Sequence, residues 1–303
     1  DMRLLNSTDD LLNRFSKANL IKNEVVIHKL DTISSKTGYD VYILREDLTG
    51  FGIGGNKTRK LDYLVGDALS KGFDTLVTLK ATSFSRNAAF AARVCGLQLH
   101  VIVQEAEHEL NPNSQNLFRN LDTKLHYVSG NEDVFTYSEN LIQGLRNDGK
   151  KVYELHPGGS DPIGTLGYVN VFNQIAKYSQ KTDIYFSDIM LSIGSAGTQA
   201  GLILGQFLTN YNTSIIGITA KLEVEKQHKL IHELITATCK MLDIPIKNFN
   251  IQLDDKFIGP GYAIPSEQGT HASKIFAGKE GILLDGVYTA KAAAALLQYL
   301  KNA

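Results

Sequence analysis

The alternation of strand and helix patterns is the feature that most constrains the fold of this chain. Short apolar and β-branched runs are separated by segments with helical periodicity; the clearest runs are Thr75–Leu79, Leu99–Val103, Lys124–Val128 and Lys151–Leu155. After a loop at residues 156–163 the alternation resumes and continues to residue 242. This order predicts parallel sheets flanked by helices, an α/β fold. A length of 303 residues with 43% hydrophobic content favours two lobes.

The charge and cysteine content argue against several classes of protein. The net charge is −1 with both signs interspersed, so neither nucleic acid nor a membrane surface is an expected partner. The two cysteines lie far apart and the eight histidines lack ligand spacing, so no metal site is expected. The apolar runs are short for a membrane span and no signal-peptide pattern is evident. We therefore expect a soluble, cytoplasmic protein.

Lys57 stands in a local sequence that suits amine chemistry. It follows a glycine-rich turn, Gly52–Gly55, and precedes the helical pattern Leu61–Leu69. The positive end of a helix dipole favours a phosphorylated ligand and lowers the pKa of an amine. A lysine with a lowered pKa is suited to Schiff-base formation with a carbonyl. Arg59 and Lys60, which follow it, are expected to be surface or structural charges.

Two pattern matches in this chain lack the context that their chemistry needs. The glycines of residues 50–55 satisfy the dinucleotide fingerprint, but the acid that it needs should end the next strand, and Asp74 instead precedes that strand. Ser195 lacks the glycine two residues earlier that a hydrolase nucleophile requires. Dinucleotide binding and serine-hydrolase activity are therefore not favoured.

A second segment suits an anion. Residues 192–201, SIGSAGTQAG, follow an apolar strand and open a helix. Small residues allow several backbone N–H groups to converge on one anion, and the hydroxyls of Ser195 and Thr198 add donors. A tight strand-to-helix turn without a ligand is the alternative. Together with Lys57, the segment indicates one site in which a loop binds a phosphate and a lysine binds an aldehyde.

Four stretches carry a resemblance to a known family. They are LTGFGIGGNKTRKL (48–61), PGGSDPIGTLGY (157–168), GSAGTQAGL (194–202) and LDGVYTAK (284–291), with a weaker fifth at Gly259–Pro265. They resemble the 1-aminocyclopropane-1-carboxylate deaminase and D-cysteine desulfhydrase family of pyridoxal-phosphate (PLP) enzymes. The resemblance implies a two-lobed fold-type II (tryptophan synthase β-like) architecture and a homodimer. It also implies a large PLP-binding domain, residues 1–60 plus 168–303, and a small α/β domain, residues 61–167.

The resemblance also implies roles for individual residues. Lys57 would bind the PLP aldehyde and act as acid and base at the substrate α-carbon, with Asn56 positioning it. Tyr288 and Tyr262 would be the active-site tyrosines. The cofactor phosphate would be bound by Gly194, Ser195, Ala196, Gly197 and Thr198.

Thr289 distinguishes between reactions within this family. The resemblance places it against the pyridine nitrogen, where deaminases of the family carry glutamate. A neutral hydroxyl permits an unprotonated ring and a weaker electron sink than a carboxylate. A weaker sink suits β-elimination better than cyclopropane opening.

One segment departs from the family pattern. Thr82, Ser83 and Phe84 stand where the family has Ser-Asn-His or Ser-Asn-Gln, with about two residues missing upstream. Ser83 thereby replaces the asparagine that contacts the cofactor, while hydroxyls and amides at Thr82, Ser83, Phe84 and Ser85 are expected to bind the substrate carboxylate.

The sequence thus predicts a PLP-dependent lyase that carries out α,β-elimination on a small amino acid, giving a keto acid and ammonia. A D-cysteine desulfhydrase-like reaction is the first choice. Ring opening, β-replacement and PLP binding with little turnover are the alternatives.

Overall fold

The computed structural model describes residues 2–104 and 112–302, with helices and strands alternating through most of this length. The helices are α1 Met2–Leu12, α2 Asp31–Thr37, α3 Asn56–Ser70, α4 Ser83–Val94, α5 Pro112–Asn120, α6 Val134–Asn147, α7 Pro162–Thr182, α8 Gly197–Thr209, α9 Val224–Leu242, α10 Glu267–Ile275 and α11 Thr289–Asn302. The strands are β1 Ile27–Lys29, β2 Tyr42–Leu44, β3 Thr75–Leu79, β4 Gln98–Gln104, β5 Lys124–Val128, β6 Val152–Leu155, β7 Asp188–Ile193, β8 Ser214–Thr219 and β9 Gln252–Asp254.

The described residues form two compact units. The larger unit contains those of 1–9, 25–45 and 168–303, and the smaller unit those of 10–24 and 46–167. The predicted domain division has the same break after residue 167 but places residues 10–24 and 46–60 in the large domain. The structure differs there because α3 runs unbroken across residue 60. The backbone N–H of Ala18 also donates to the Asp62 carbonyl of the same helix.

The smaller unit is built on a parallel sheet covered on both faces. Its strand order is β5-β4-β3-β6, and every neighbouring pair is parallel. Because side chains alternate across a strand, Leu76 of β3 joins the core with α3 and α4, whereas Val77 joins the core with α6. The predicted parallel arrangement is confirmed here.

The larger unit contains a second parallel sheet, in the order β7-β8-β9. Its apolar core joins Ile218 of β8 to residues of α2, α10 and α11. The strand β2 extends neither parallel sheet. It pairs antiparallel with β1, because the two short strands are close in sequence and form a separate two-stranded ribbon.

None of the helices in the described part of the chain combines the length and hydropathy that a membrane crossing requires.

Candidate active site

The glycine-rich turn of the smaller unit places Lys57 in the first turn of α3, a largely buried helix. Gly52, Gly54 and Gly55 have φ values of 57°, 69° and 89°, which L-residues with side chains rarely adopt. A Cβ on Gly54 would also lie 2.6 Å from the carbonyl oxygen of Asp47. The turn closes when the Gly55 N–H donates to the Glu46 carbonyl at 2.7 Å, and α3 begins at the next residue. Glycine is therefore required for the chain to enter α3 in this direction.

Burial changes the protonation of Lys57. Because the densely packed surroundings disfavour the ammonium form, the pKa of the Lys57 amine falls from 10.5 to about 8. A substantial fraction of the amine is therefore neutral, and nucleophilic, close to physiological pH. Asn56 opens α3 immediately before it and is half-buried.

Asn87 of α4 binds the backbone of this turn and was not singled out by the sequence. Its Nδ2 donates to the Gly54 carbonyl at 2.9 Å, and the Ile53 N–H donates to its Oδ1 at 3.3 Å. The side chain is buried. The carboxamide therefore satisfies one backbone acceptor and one donor just ahead of Lys57. An asparagine within the alanine-rich pattern SRNAAFAAR was the available signal.

The two basic residues after Lys57 are buried, so the predicted surface position is wrong and the structural alternative fits. Arg59 Nε donates to Glu46 Oε2 at 3.1 Å, which ties α3 to the residue whose carbonyl accepts the Gly55 N–H. Lys60 Nζ donates to the Gly158 carbonyl at 3.1 Å. Burial, and then the positive charge of Lys57, hold the pKa of Lys60 well below its usual value.

The predicted substrate-binding residues at the start of α4 differ in their burial. Ser85 is buried, and its hydroxyl accepts from the Thr82 N–H at 2.8 Å and donates to the Thr82 carbonyl at 3.0 Å. Phe84 is 1% exposed and packs in the core between α3 and α4. Both side chains are thus committed to the fold, while the contact of the helix-start amides with substrate stays a prediction. Thr82 is exposed and Ser83 half-buried, so these two remain candidates.

In the larger unit, the predicted phosphate loop joins β7 to α8 and contains an unpaired hydroxyl. Ser195 Oγ is buried and has no hydrogen-bond partner within the described residues. Ala196, the N-cap of α8, has no side-chain oxygen to cap the helix, and the first turn contains no acidic residue. A buried donor at the positive end of an uncapped helix favours an anion there.

Tyr288 lies against this loop and is hydrogen-bonded to Tyr262. A Cβ on Gly194 would lie 2.7 Å from Tyr288 Cε1, so only glycine leaves room for the ring. The two tyrosine hydroxyls are 2.6 Å apart. Burial and this hydrogen bond raise the pKa of Tyr288 above its usual value, which keeps the phenol protonated at neutral pH. The larger unit therefore brings together Gly194, Tyr288 and Tyr262.

Thr289 is hydrogen-bonded to Asp285, which was not among the predicted site residues. Its hydroxyl donates to Asp285 Oδ1 at 2.6 Å and accepts from the Asp285 N–H at 2.8 Å. The same carboxylate accepts the N–H groups of Val287, Tyr288 and Thr289, so it caps the start of α11. The hydroxyl of Thr289 therefore offers a lone pair, and its proton is already donated.

Solved structures share this architecture. A crystal structure of a homologue of 1-aminocyclopropane-1-carboxylate (ACC) deaminase aligns with a TM-score of 0.88 at 34% identity, covering 97% of this chain and 90% of that one. Threonine deaminase isoform 2 from Solanum lycopersicum aligns with a TM-score of 0.65 at 15% identity, covering 99% and 81% of the two chains. At that identity the second likeness concerns the fold alone. The class is that of the fold-type II α/β enzymes, as predicted.

Residues 23–303 match the family described as pyridoxal-phosphate dependent enzyme, and the chain belongs to that family. A protein of Pyrococcus abyssi, provisionally named 1-aminocyclopropane-1-carboxylate deaminase, is 35% identical over 97% of this chain and 89% of its own length. The D-cysteine desulfhydrase of Serratia proteamaculans is 32% identical over 94% and 88%. The predicted family resemblance, PLP as the cofactor and the enzyme class are confirmed.

The residues described above fit PLP chemically. The cofactor contains an aldehyde, for which a lysine of lowered pKa is a suitable partner. It also contains a phosphate, for which the unpaired Ser195 hydroxyl and the start of α8 are suitable donors.

Proposed function

We propose that this enzyme carries out α,β-elimination on a small amino acid, with D-cysteine as the first substrate to test. The observation that carries the proposal is the Lys57 amine, whose pKa of about 8 allows it to gain and lose a proton near neutral pH. The similarity to D-cysteine desulfhydrases supports the choice of substrate. The products from D-cysteine and water are pyruvate, ammonia and hydrogen sulfide.

The proposed site assigns PLP to the groups already described. In this proposal Lys57 would bind its aldehyde beside Asn56, residues Gly194–Thr198 would bind its phosphate, and Thr289 would interact with its ring nitrogen. Ser83 is the proposed contact at the start of α4. When bound, PLP supplies an electron sink that makes the α-proton of an amino acid labile.

In this proposal Lys57 would carry the proton transfer, and the tyrosine pair would stabilise the leaving group. The Lys57 amine would remove the proton from the α-carbon of the bound substrate. Tyr288, which stays protonated because its pKa is raised, would donate a hydrogen bond to the departing sulfur, while Tyr262 holds its hydroxyl in place. The hydroxyl of Thr82, at the exposed start of α4, binds the substrate carboxylate. After the thiol departs, the released unsaturated amine is hydrolysed to the keto acid and ammonia.

Cyclopropane ring opening is the second candidate, favoured by the relative from Pyrococcus abyssi that carries that provisional name. Thr289 does not decide between the two reactions, because its proton is donated to Asp285 and the lone pair left on its hydroxyl would accept from a protonated ring nitrogen. β-Replacement shares the early proton transfer with elimination and is separated from it by adding an external thiol. PLP binding with little turnover remains the alternative outside catalysis.

The cofactor assignment is tested by absorbance of the purified protein. Schiff-base formation at Lys57 predicts a band at about 410–430 nm that Lys57→Ala abolishes. Lys301→Ala, at an exposed position of α11, is the matched control and should keep the band. A band that survives Lys57→Ala would contradict the assignment of this lysine.

The reaction is tested with D- and L-cysteine, D- and L-serine and 1-aminocyclopropane-1-carboxylate, with keto acid, ammonia and sulfide measured. Sulfide and pyruvate in equal amounts from D-cysteine support elimination. A keto acid from the cyclopropane substrate, without sulfide from cysteine, favours ring opening. Spectral change without product from any substrate favours the binding protein.

We also propose a cytoplasmic homodimer on the basis of the family resemblance. Light scattering on the eluting peak of a size-exclusion column tests the dimer, because a mass of one chain would exclude it.

A further inference from the structure

Lys291 is a fully buried cation in the first turn of α11. Its side chain is 0% exposed, although it stands in the otherwise apolar pattern TAKAAAALL. The Nζ donates to the Ile258 carbonyl at 2.7 Å and to the Gly261 carbonyl at 3.0 Å. Because an unpaired ammonium in an apolar core is costly, these two carbonyls account for the presence of a lysine here.

The segment that Lys291 binds is Ile258–Ile264, called here the tyrosine loop because it carries Tyr262. Gly259, Gly261 and Ala263 have φ values of 70°, 154° and 62°, so three of its residues lie in the left-handed region. A segment of this geometry cannot form the repeating hydrogen bonds of a helix or strand. Its conformation therefore depends on contacts with the surrounding fold.

The two carbonyls bound by Lys291 belong to the residues that lead up to Tyr262 in sequence. Ile258 begins the tyrosine loop, and Gly261 immediately precedes the tyrosine. Tyr262 itself is 43% exposed, so packing alone holds it weakly. Its hydroxyl nevertheless meets that of Tyr288 at 2.6 Å, and Tyr288 immediately precedes α11. The first turn of α11 therefore holds both tyrosines. Tyr288 directly precedes the helix in sequence, and Tyr262 follows Gly261, whose carbonyl is bound by Lys291.

We propose that Lys291 is a positioning residue for the tyrosine pair. Its ammonium binds the tyrosine loop to α11 and thereby sets the distance between the two hydroxyls. The consequence for catalysis rests on the proposed function, in which this pair donates a hydrogen bond to the departing sulfur. The binding of the loop itself does not depend on that function.

Hydrogen exchange of the PLP-bound enzyme, followed by mass spectrometry, tests the binding of the loop. Lys291→Met keeps the length of the side chain and removes the charge, and Lys301→Met on the exposed part of the same helix is the control. We expect Lys291→Met to speed exchange at least tenfold in peptides covering residues 258–264, with β7 and β8 unchanged. Lys301→Met should leave all three regions unchanged. Unchanged exchange at residues 258–264 in Lys291→Met, or a uniform increase across the larger unit, overturns the proposal.

A double-mutant cycle with Tyr262→Phe tests the catalytic consequence. We expect Lys291→Met to lower kcat for D-cysteine by about 10- to 100-fold, because a misplacement of about 1 Å can cost that much. In the Tyr262→Phe background the further loss should be under threefold, since the hydroxyl that Lys291 positions is gone. Equal losses in both backgrounds indicate general destabilisation and overturn the positioning role.

Two additional variants keep the test decisive. Lys291→Arg retains the cation and is expected to recover at least part of kcat; recovery no better than Lys291→Met counts against the proposal. If Lys291→Met does not fold, Lys291→Gln, which keeps one donor group, takes its place in both experiments. A wild-type enzyme that releases no product from any substrate refutes the proposed function, while hydrogen exchange still decides the role of Lys291.

Discussion

Replacing Lys57 by methionine should stabilise the cofactor-free protein at neutral pH. In the folded chain the pKa of Lys57 is about 8, whereas that of an exposed lysine is 10.5. The folded state therefore binds the Lys57 proton less tightly than the unfolded state does. Since one pKa unit corresponds to about 1.4 kcal/mol, the charge on Lys57 costs roughly 3 kcal/mol of stability near pH 7.

The pH dependence of this penalty has a defined sign. Below pH 8 both states carry the proton and the full penalty applies. Between about pH 8 and 10.5 the folded state loses the proton while the unfolded state keeps it, so the free energy of unfolding rises with pH. Above 10.5 both are neutral and the penalty has gone. The advantage of Lys57→Met over wild type should therefore shrink across this window.

Urea denaturation of cofactor-stripped protein, at intervals from pH 7 to 10.5, measures the effect. The difference between Lys57→Met and wild type is the informative quantity, because titrating groups other than Lys57 and its neighbour Lys60 contribute equally to both proteins, and the methionine side chain contributes equally at each pH. Lys301→Met, at an exposed position, is the control. A difference that stays constant with pH, or grows with it, would refute the assignment of a buried, destabilised ammonium to Lys57.

Three further predictions concern the other groups of the site. Asn87→Ala should lower the free energy of unfolding by about 1–3 kcal/mol in urea denaturation, because the Gly54 carbonyl loses its donor; an unchanged midpoint would contradict this. Ser195→Ala should weaken PLP binding roughly 10- to 100-fold in a titration of cofactor-stripped protein, because a charge-assisted hydrogen bond is lost; unaltered affinity would exclude this hydroxyl as a phosphate ligand. Tyr288→Phe should lower kcat for D-cysteine about 100-fold while leaving the 410–430 nm band in place, as measured by sulfide release and absorbance; loss of the band instead would show that Tyr288 holds the cofactor.

The alternation of strands and helices was predictable because it depends on local periodicity. The parallel sheets of both units follow from it, since each strand alternates with a helix long enough to cross over. The pairing of β1 with β2 was missed because β1 is three residues long and carries too little periodicity to be recognised. The apolar pattern at Leu61–Leu69 covers only the later part of α3, because the polar residues of its first turn do not contribute to such a pattern.

Residues of the candidate site were predictable where the backbone geometry allows only glycine. They were not predictable where a side chain binds backbone atoms that are distant in sequence. Glycine is forced by close approach at Gly54 and at Gly194, and these residues marked the glycine turn of the smaller unit and the predicted phosphate loop of the larger unit. Asn87 and Lys291 bind backbone atoms 33 and 30 residues away, and no local pattern shows such a partner. Each is nevertheless a polar residue in an alanine-rich stretch, which is where a buried polar contact is most unexpected.

The bond between Asn87 and the glycine turn limits where insertions and deletions can be tolerated. Each residue of a helix advances the side-chain direction by about 100°. Removing one residue between Ser83 and Asn87 would therefore swing the carboxamide away from the Gly54 carbonyl, even if α4 itself were preserved. The shortening inferred from the family resemblance would fall upstream of Thr82, before the helix begins, where it leaves that phase intact. The same reasoning directs length variants to residues 80 and 81 and away from Thr82 and the first two turns of α4.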